Sequence, residues 1–140
     1  MEDEFIKHNV KPLEIELQSL IAEKYKFTPM ILKVKGDTVH MQKIHGSTLA
    51  YKFTDDPSLL PNSIWEEIHR ILSILYEREG IEFIDITSYN FMIDDDENNK
   101  VWILDFGHAF YTSSNKGMKP TNWFLKDVLD GAKVYNPEFA

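Results

Sequence analysis

The residues best suited to chemistry lie in two short stretches. The first reads Phe83-Ile84-Asp85-Ile86-Thr87-Ser88-Tyr89-Asn90-Phe91-Met92-Ile93, and the second Val101-Trp102-Ile103-Leu104-Asp105-Phe106-Gly107. An Asp is followed five positions later by an Asn, then by a hairpin, then by Asp-Phe-Gly at the end of an apolar strand. That arrangement suits phosphoryl transfer, which asks little covalent work of a protein and depends on positioning and charge neutralisation. A loop carboxylate orients a hydroxyl nucleophile and accepts its proton, while an Asn oxygen and a second carboxylate hold Mg²⁺ against the phosphates.

These residues must be carried by a scaffold, and the hydrophobic periodicity predicts one. Residues 12–25 place Leu13, Leu17, Leu20 and Ile21 at helical spacing, with Pro12 suited to a first turn. Met30-Ile31-Leu32-Lys33-Val34, the turn Lys35-Gly36-Asp37 and residues 38–44 read as an antiparallel hairpin. A polar stretch over 54–63 leads into a second helix over 64–79, with Trp65, Ile68, Ile71, Leu72, Leu75 and Tyr76 in one stripe and Gly80 as its stop. Strands over 90–93 and 100–104 flank Asp94-Asp95-Asp96-Glu97-Asn98-Asn99, a solvated turn that lacks the glycine and distal Glu of an EF-hand loop. A last helix is predicted over 121–132, with Trp123, Phe124, Val128 and Leu129 inward. No repeat or linker divides the sequence, so the expectation is one α+β domain over residues 1–140.

In order and spacing the two stretches resemble the catalytic loop and magnesium-binding Asp-Phe-Gly of the protein-kinase superfamily. With Thr87-Ser88 between the Asp and the Asn, the loop looks most like the small atypical members: the KEOPS-complex kinase, RIO kinases and aminoglycoside phosphotransferases. The resemblance implies Asp85 as catalytic base, Asn90 and Asp105 as Mg²⁺ ligands, and Phe106 and Gly107 beside the nucleotide. The helix with Glu14 and Glu16, followed by Phe27-Thr28-Pro29, resembles the αC helix and the strand after it. Residues 39–49 resemble the strand and hinge against adenine, with Met41 near the gatekeeper and Gln42, Lys43 and Ile44 in the hinge. The implied fold is kinase-like, with a reduced N-lobe, a hinge, an αE-like helix, a catalytic-loop hairpin and a truncated C-lobe. The implied ligands are Mg²⁺ and ATP.

The sequence also departs from that pattern. The residues before the first helix show neither a glycine-rich loop nor a Val-Ala-Ile-Lys-like strand, so the usual phosphate-binding lysine is expected to be missing and Glu14 or Glu16 to lack its partner. Lys33 and Lys35 read as solvent-facing, and Lys7 or Lys11 reaches a phosphate only if the amino terminus folds back. Phe83 replaces the family's His, exchanging hydrogen bonds for packing, and no Ala-Pro-Glu element follows Gly107. Losing one preorganised charge-stabilising group costs about 10²–10³ in kcat. Two functions therefore stand side by side: a minimal kinase passing the γ-phosphoryl group to a hydroxyl, and a silent pseudokinase acting through a protein partner. A homodimer, in which a second chain supplies the phosphate cradle, is a third arrangement.

Composition narrows the alternatives. The 140 residues are 43% hydrophobic, enough for a core without disulfides. Lys+Arg 15 against Asp+Glu 23 gives a net charge of -8, which argues against a broad phosphate-backbone surface and against an anionic membrane. With Cys 0 there is no disulfide-linked partner, thiolate ligand or Cys nucleophile. No signal peptide or spanning segment is read, so a cytoplasmic or nuclear location is expected. His8, His40, His45, His69 and His108 show no paired ligand spacing; His40 with His45 reads as incidental and His108 as structural. Trp123, Phe124, Tyr135 and Phe139 read as core or lid residues. Asp85 and Asp105 in one cleft repel unless a cation joins them, which keeps the magnesium expectation in place.

Overall fold

A computed structural model of the chain describes residues 4–97, 100–115 and 117–139. The first three strands and the first helix form a small layer. Strands β1 (Glu4–Lys7), β2 (Ile31–Lys35) and β3 (Thr38–Gln42) make an antiparallel sheet in the order β1-β3-β2, and helix α1 (Pro12–Lys24) lies between β1 and β2 in sequence. The alternation of β3 buries Val39 and Met41, which pack with Val10 and the half-buried Ile15 and Ile31. Lys33 and Lys35 face solvent, as their positions predict.

Helix α1 has an unusual inward stripe. Glu14, Leu17, Gln18, Ile21 and Ala22 recur at helical spacing and all are buried, so two of the five inward residues are polar. Leu17 and Ile21 enter the main core, while Gln18 Nε2 donates to the Pro29 carbonyl at 2.9 Å. A buried Glu must likewise find a partner.

After residues 43–45, strand β4 (Gly46–Thr48) begins the larger layer, followed by α2 (Leu49–Phe53), a 3₁₀ turn (Pro57–Leu59) and α3 (Asn62–Glu79). Helix α3 buries Ile64 together with Trp65, Ile68, Ile71, Leu72 and Leu75 of the predicted stripe, while Tyr76 is only half-buried, and it ends on Gly80 at φ 67, whose N–H reaches the Leu75 and Tyr76 carbonyls. Burying each such side chain contributes about 1.5–3 kcal/mol before its entropy cost. Strands β6 (Phe91–Asp94) and β7 (Val101–Ile103) form the expected hairpin, with β4 added to its edge in the order β4-β6-β7. A Cβ at Gly46 would collide with the Ile93 carbonyl, so this pairing requires glycine. Asp94 Oδ1 accepts from the N–H groups of Asp96 and Glu97, and its Oδ2 from Trp102 Nε1, which makes the acidic stretch a turn built on one carboxylate. Asn98 and Asn99 of that stretch lie outside the described residues. Residues 27 and 28 tie α1 to this sheet: Ile103 donates its N–H to the Phe27 carbonyl at 2.8 Å, and Thr28 Oγ1 to the Ile103 carbonyl at 2.9 Å.

Strands β5 (Ile81–Glu82) and β8 (Phe110–Tyr111) pair antiparallel, and α4 (Trp123–Leu129) closes the core with Phe124, Leu125 and Val128. This helix is shorter than the predicted 121–132, because Gly131 at φ 114 turns the chain away. Trp123, predicted inward, is 53% exposed on the first turn. No described helix is long and apolar enough to cross a membrane.

Glu82 holds this end of the fold. It is fully buried and accepts four hydrogen bonds, from Thr112 Oγ1 (2.7 Å), Thr121 N–H (3.0 Å), Thr121 Oγ1 (2.8 Å) and Asn122 N–H (2.9 Å). Asn122 in turn caps α4 through Phe124 and Leu125 N–H. Burial pushes the Glu82 carboxyl up, but its donors outweigh burial and hold it below the ordinary 4.5. Its stabilising effect is therefore fully present above that value and lost below it, as pH falls through the lower pKa of the folded state. Glu82→Gln should cost roughly 3 kcal/mol in urea unfolding at pH 7. The loss of stability between pH 6 and pH 3.5 should be shallower in the variant than in the wild type.

Candidate functional site

Six of the predicted site residues, Met41, Gln42, Lys43, Ile44, Asn90 and Asp105, converge where the two layers meet. Strand β1 alternates so that Phe5 and Lys7 share one face, opposite Met41 and Val39 in the β1–β3 register. That face looks onto α1 and onto the Asp-Phe-Gly segment. Lys7 Nζ lies 2.5 Å from Glu14 Oε2 and 3.2 Å from Asp105 Oδ1. Burial works against its charge, but the hydrogen bond to Glu14 and the nearby Asp105 carboxylate outweigh it, so the ammonium is held above its ordinary pKa. This corrects the sequence reading that no lysine is placed to pair with Glu14. The backbone fold that reading required of the amino terminus is strand β1. Glu16, the alternative partner, instead accepts from the Tyr111 hydroxyl.

Asp105 adopts φ 54, a left-handed conformation that Asp tolerates better than most residues. Its Oδ1 accepts the Gly107 N–H at 2.9 Å, which fixes the carboxylate toward Lys7. A Cβ on Gly107 would lie 2.8 Å from Asp105 Oδ1 and 3.4 Å from Glu14 Oε1, so the glycine leaves room for both carboxylates. Asn90 is buried and donates Nδ2 to the Asp85 carbonyl at 3.1 Å, which leaves its oxygen end to the cleft. The Leu104 N–H bonds to the Asn90 carbonyl at 2.8 Å, tying the two sequence stretches together. Phe83 packs edge-on against Phe106 at 5.4 Å and Phe91 at 6.0 Å, so packing does replace the family's histidine hydrogen bonds.

A cavity of about 460 Å³ opens between the layers. Phe5 and Lys7 line one wall and Met92 and Leu104 the other, with Gln18, Pro29 and Met41 also on the lining. Gln42, Lys43 and Ile44 form one edge, and Asn90 and Asp105 also line the cavity. Four predicted nucleotide-contact residues, Met41, Gln42, Lys43 and Ile44, thus line it, as do both predicted metal ligands. Phe106 and Gly107 do not: Phe106 is buried in the core, and Gly107 acts through Asp105. Asp85 is also off the cavity wall. It is 4% exposed, its Oδ2 lies 3.0 Å from His108 Nδ1, and its Oδ1 is buried with no hydrogen-bond partner. Of the other histidines, His40 Nδ1 lies 3.2 Å from Glu4 Oε2.

Among the described residues no group of three or more His, Asp or Glu comes together to hold a metal alone. Asn90 and Asp105 nevertheless fit a hard cation: they offer one amide and one carboxylate oxygen, the few protein ligands Mg²⁺ takes when phosphates complete its shell. Sequence reasoning missed Phe5, Gln18, Met92 and Leu104 as lining residues, although the period-2 alternation of β6, with Phe91 and Ile93 buried, already puts Met92 on the cleft side. The His108–Asp85 contact left no signal in the sequence.

Comparisons with known proteins agree with this geometry. The RIO domain family matches residues 9–129. The chain is 31% identical over 91 residues to the probable serine/threonine-protein kinase BUD32 homologue of Archaeoglobus fulgidus, covering 65% of this chain and 41% of that protein. Its fold superposes on the Cydia pomonella granulovirus kinase PK-1 with a TM-score of 0.60 and 16% identity, covering 79% of this chain and 44% of the viral kinase. The chain therefore spans less than half the length of either relative. With the family matched across nearly all of the described fold and the kinase architecture seen independently in three dimensions, the chain belongs to the RIO domain family, with a protein-kinase-like fold.

Proposed function

We propose that the chain binds a magnesium–purine nucleotide in the cleft and transfers its γ-phosphoryl group to a hydroxyl. The observation that carries this reading is the bridge from Lys7 to Glu14 and Asp105 at an apolar cavity of nucleotide size. The purine lies between Phe5 and Met92, with its polar edge toward the backbone of residues 42–44. Lys7 meets the phosphates, and its charge is kept by the two carboxylates. Asn90 and Asp105 hold Mg²⁺, which when bound neutralises phosphate charge and orients the transferred group. Asp85 takes the proton of the acceptor hydroxyl. A second reading, a nucleotide-binding pseudokinase, draws on one observation: the Asp85 carboxylate is covered rather than open to an acceptor.

Thermal shift with ATP, with and without Mg²⁺, tests binding. Wild type should show magnesium-dependent stabilisation, and its absence defeats the nucleotide reading. Lys7→Met and Asp105→Asn should each weaken Mg-ATP binding by about tenfold or more, and Asp105→Asn should remove the magnesium dependence. Gly107→Ala should reproduce part of the Asp105 defect by displacing its carboxylate. Asp85→Asn should leave Mg-ATP binding within about twofold while lowering transfer of radiolabelled phosphate by roughly 10²–10⁴. Binding without transfer to any acceptor, even from wild type, selects the pseudokinase.

A further inference from the structure

The segment after α4 returns to the catalytic loop and covers it. Asn136 is fully buried; its Nδ2 donates to the Ile84 carbonyl and its N–H to the Ile86 carbonyl, both at 2.8 Å, so it grips the backbone on either side of Asp85. A tight turn follows, with the Glu138 N–H on Asn136 Oδ1 (3.0 Å) and the Phe139 N–H on the Asn136 carbonyl (3.1 Å). The turn lays the Phe139 ring on the His108 imidazole, with centroids 4.5 Å apart and planes at 26°, while the Tyr89 hydroxyl donates to the Phe139 carbonyl at 2.6 Å. His108 Nδ1 is in turn 3.0 Å from Asp85 Oδ2. The result is three layers: carboxylate, imidazole, phenyl ring.

A general base must come within about 2.6–3.2 Å of the atom whose proton it takes. Here one Asp85 oxygen is spent on His108 and the other is buried without a partner, an arrangement that costs free energy in the closed state. The two ends of the covering segment differ in strength. Asn136 is anchored by buried backbone bonds, whereas Pro137 and Glu138 are exposed and the outer end is held by surface contacts, Tyr89 to Phe139 and Trp123 Nε1 to Glu138 Oε1 at 3.0 Å. Such an end opens locally at small cost while its anchor stays in place.

The geometry points to an autoinhibitory latch: residues 137–139 hold His108 against Asp85, and release of Phe139 frees the imidazole and opens the base to an acceptor hydroxyl. This inference rests on the reading of Asp85 as the base. In the open form the acceptor takes the place of His108 Nδ1 on the carboxylate, and the Asn136 anchor keeps the loop backbone as it is.

The test uses the full chain and a probe that does not depend on activity. Labelling of carboxylates by a water-soluble carbodiimide with glycine ethyl ester, read by peptide mass spectrometry, reports whether Asp85 is reachable; the exposed carboxylates at 95–97 serve as internal controls. Phe139→Ala should speed Asp85 labelling roughly threefold to tenfold, the range set by loss of one aromatic pair. Tyr89→Phe, which removes one surface bond and keeps the ring, should act in the same direction to a smaller extent and covers the case of a poorly folded Phe139 variant. ATP turnover should rise with labelling while the Mg-ATP dissociation constant stays fixed. Unchanged Asp85 labelling in both variants overturns the latch, and faster labelling with lower turnover overturns it in favour of a supporting role for the segment. If labelling rises but neither wild type nor variant binds Mg-ATP, the cover over Asp85 stands and the nucleotide reading fails.

Discussion

One ammonium group between two carboxylates organises this molecule. Lys7 comes from the edge strand, Glu14 from the helix behind it, and Asp105 from the far side of the cleft, so the trio ties the edge strand to two elements that share the main core. Removing Lys7 leaves two carboxylates without compensation, Glu14 among them nearly buried, which is more costly than never having placed them there. The trio carries a net charge of one negative unit, and a phosphate enters beside it favourably only together with a cation. Glu14 in the α1 stripe is explained in the same way, since an apolar residue there would give Lys7 nothing to hold, whereas Gln18 serves the Pro29 carbonyl.

A second buried carboxylate, Glu82, plays the corresponding part at the other end of the catalytic loop. Its four donors all come from residues 112–122, the stretch between β8 and α4. The loop carrying Asp85 and Asn90 is therefore suspended between two anionic anchors of different character. Glu82 is satisfied by neutral donors within the protein, and Asp105 is satisfied only in part, with about two fifths of its side chain open to the cleft. The two carboxylates differ in how much of each remains unpaired.

Much of this was legible in the sequence, for identifiable reasons. The long periodic stripe of α3, the turn at Gly36 and the Asp-to-Asn spacing are local patterns, and each predicts its element or residue set without knowledge of the rest. Lys7 was named only on condition that the amino terminus fold back; strand β1, which meets that condition, escaped because a four-residue strand with a charge at each end is too short to display a period, and its identity as a strand depends on pairing with β3, far along the chain. Trp123 was misplaced because α4 presents its first turn at the surface, where Trp123 Nε1 bonds to Glu138. Phe106 belongs to the motif but serves it from inside the core. The contacts of His108 with Asp85 and Phe139 join positions that no periodicity connects, and only the fold brings them together.

The edge-on contact of Phe83 with Phe106 has a thermodynamic side. Where hydrogen bonds would tie the catalytic loop to the Asp-Phe-Gly segment, this chain uses an apolar seam, which has no charge to screen and is strengthened by excluded salts. The Lys7 bridge across the cleft responds in the opposite sense, since mobile ions weaken a partly exposed ion pair. The seam loses strength on cooling, as apolar contacts do. Ionic strength and temperature thus act on different joints of one site, and the balance between a firm loop and a firm cleft is set by the solution as well as by the fold.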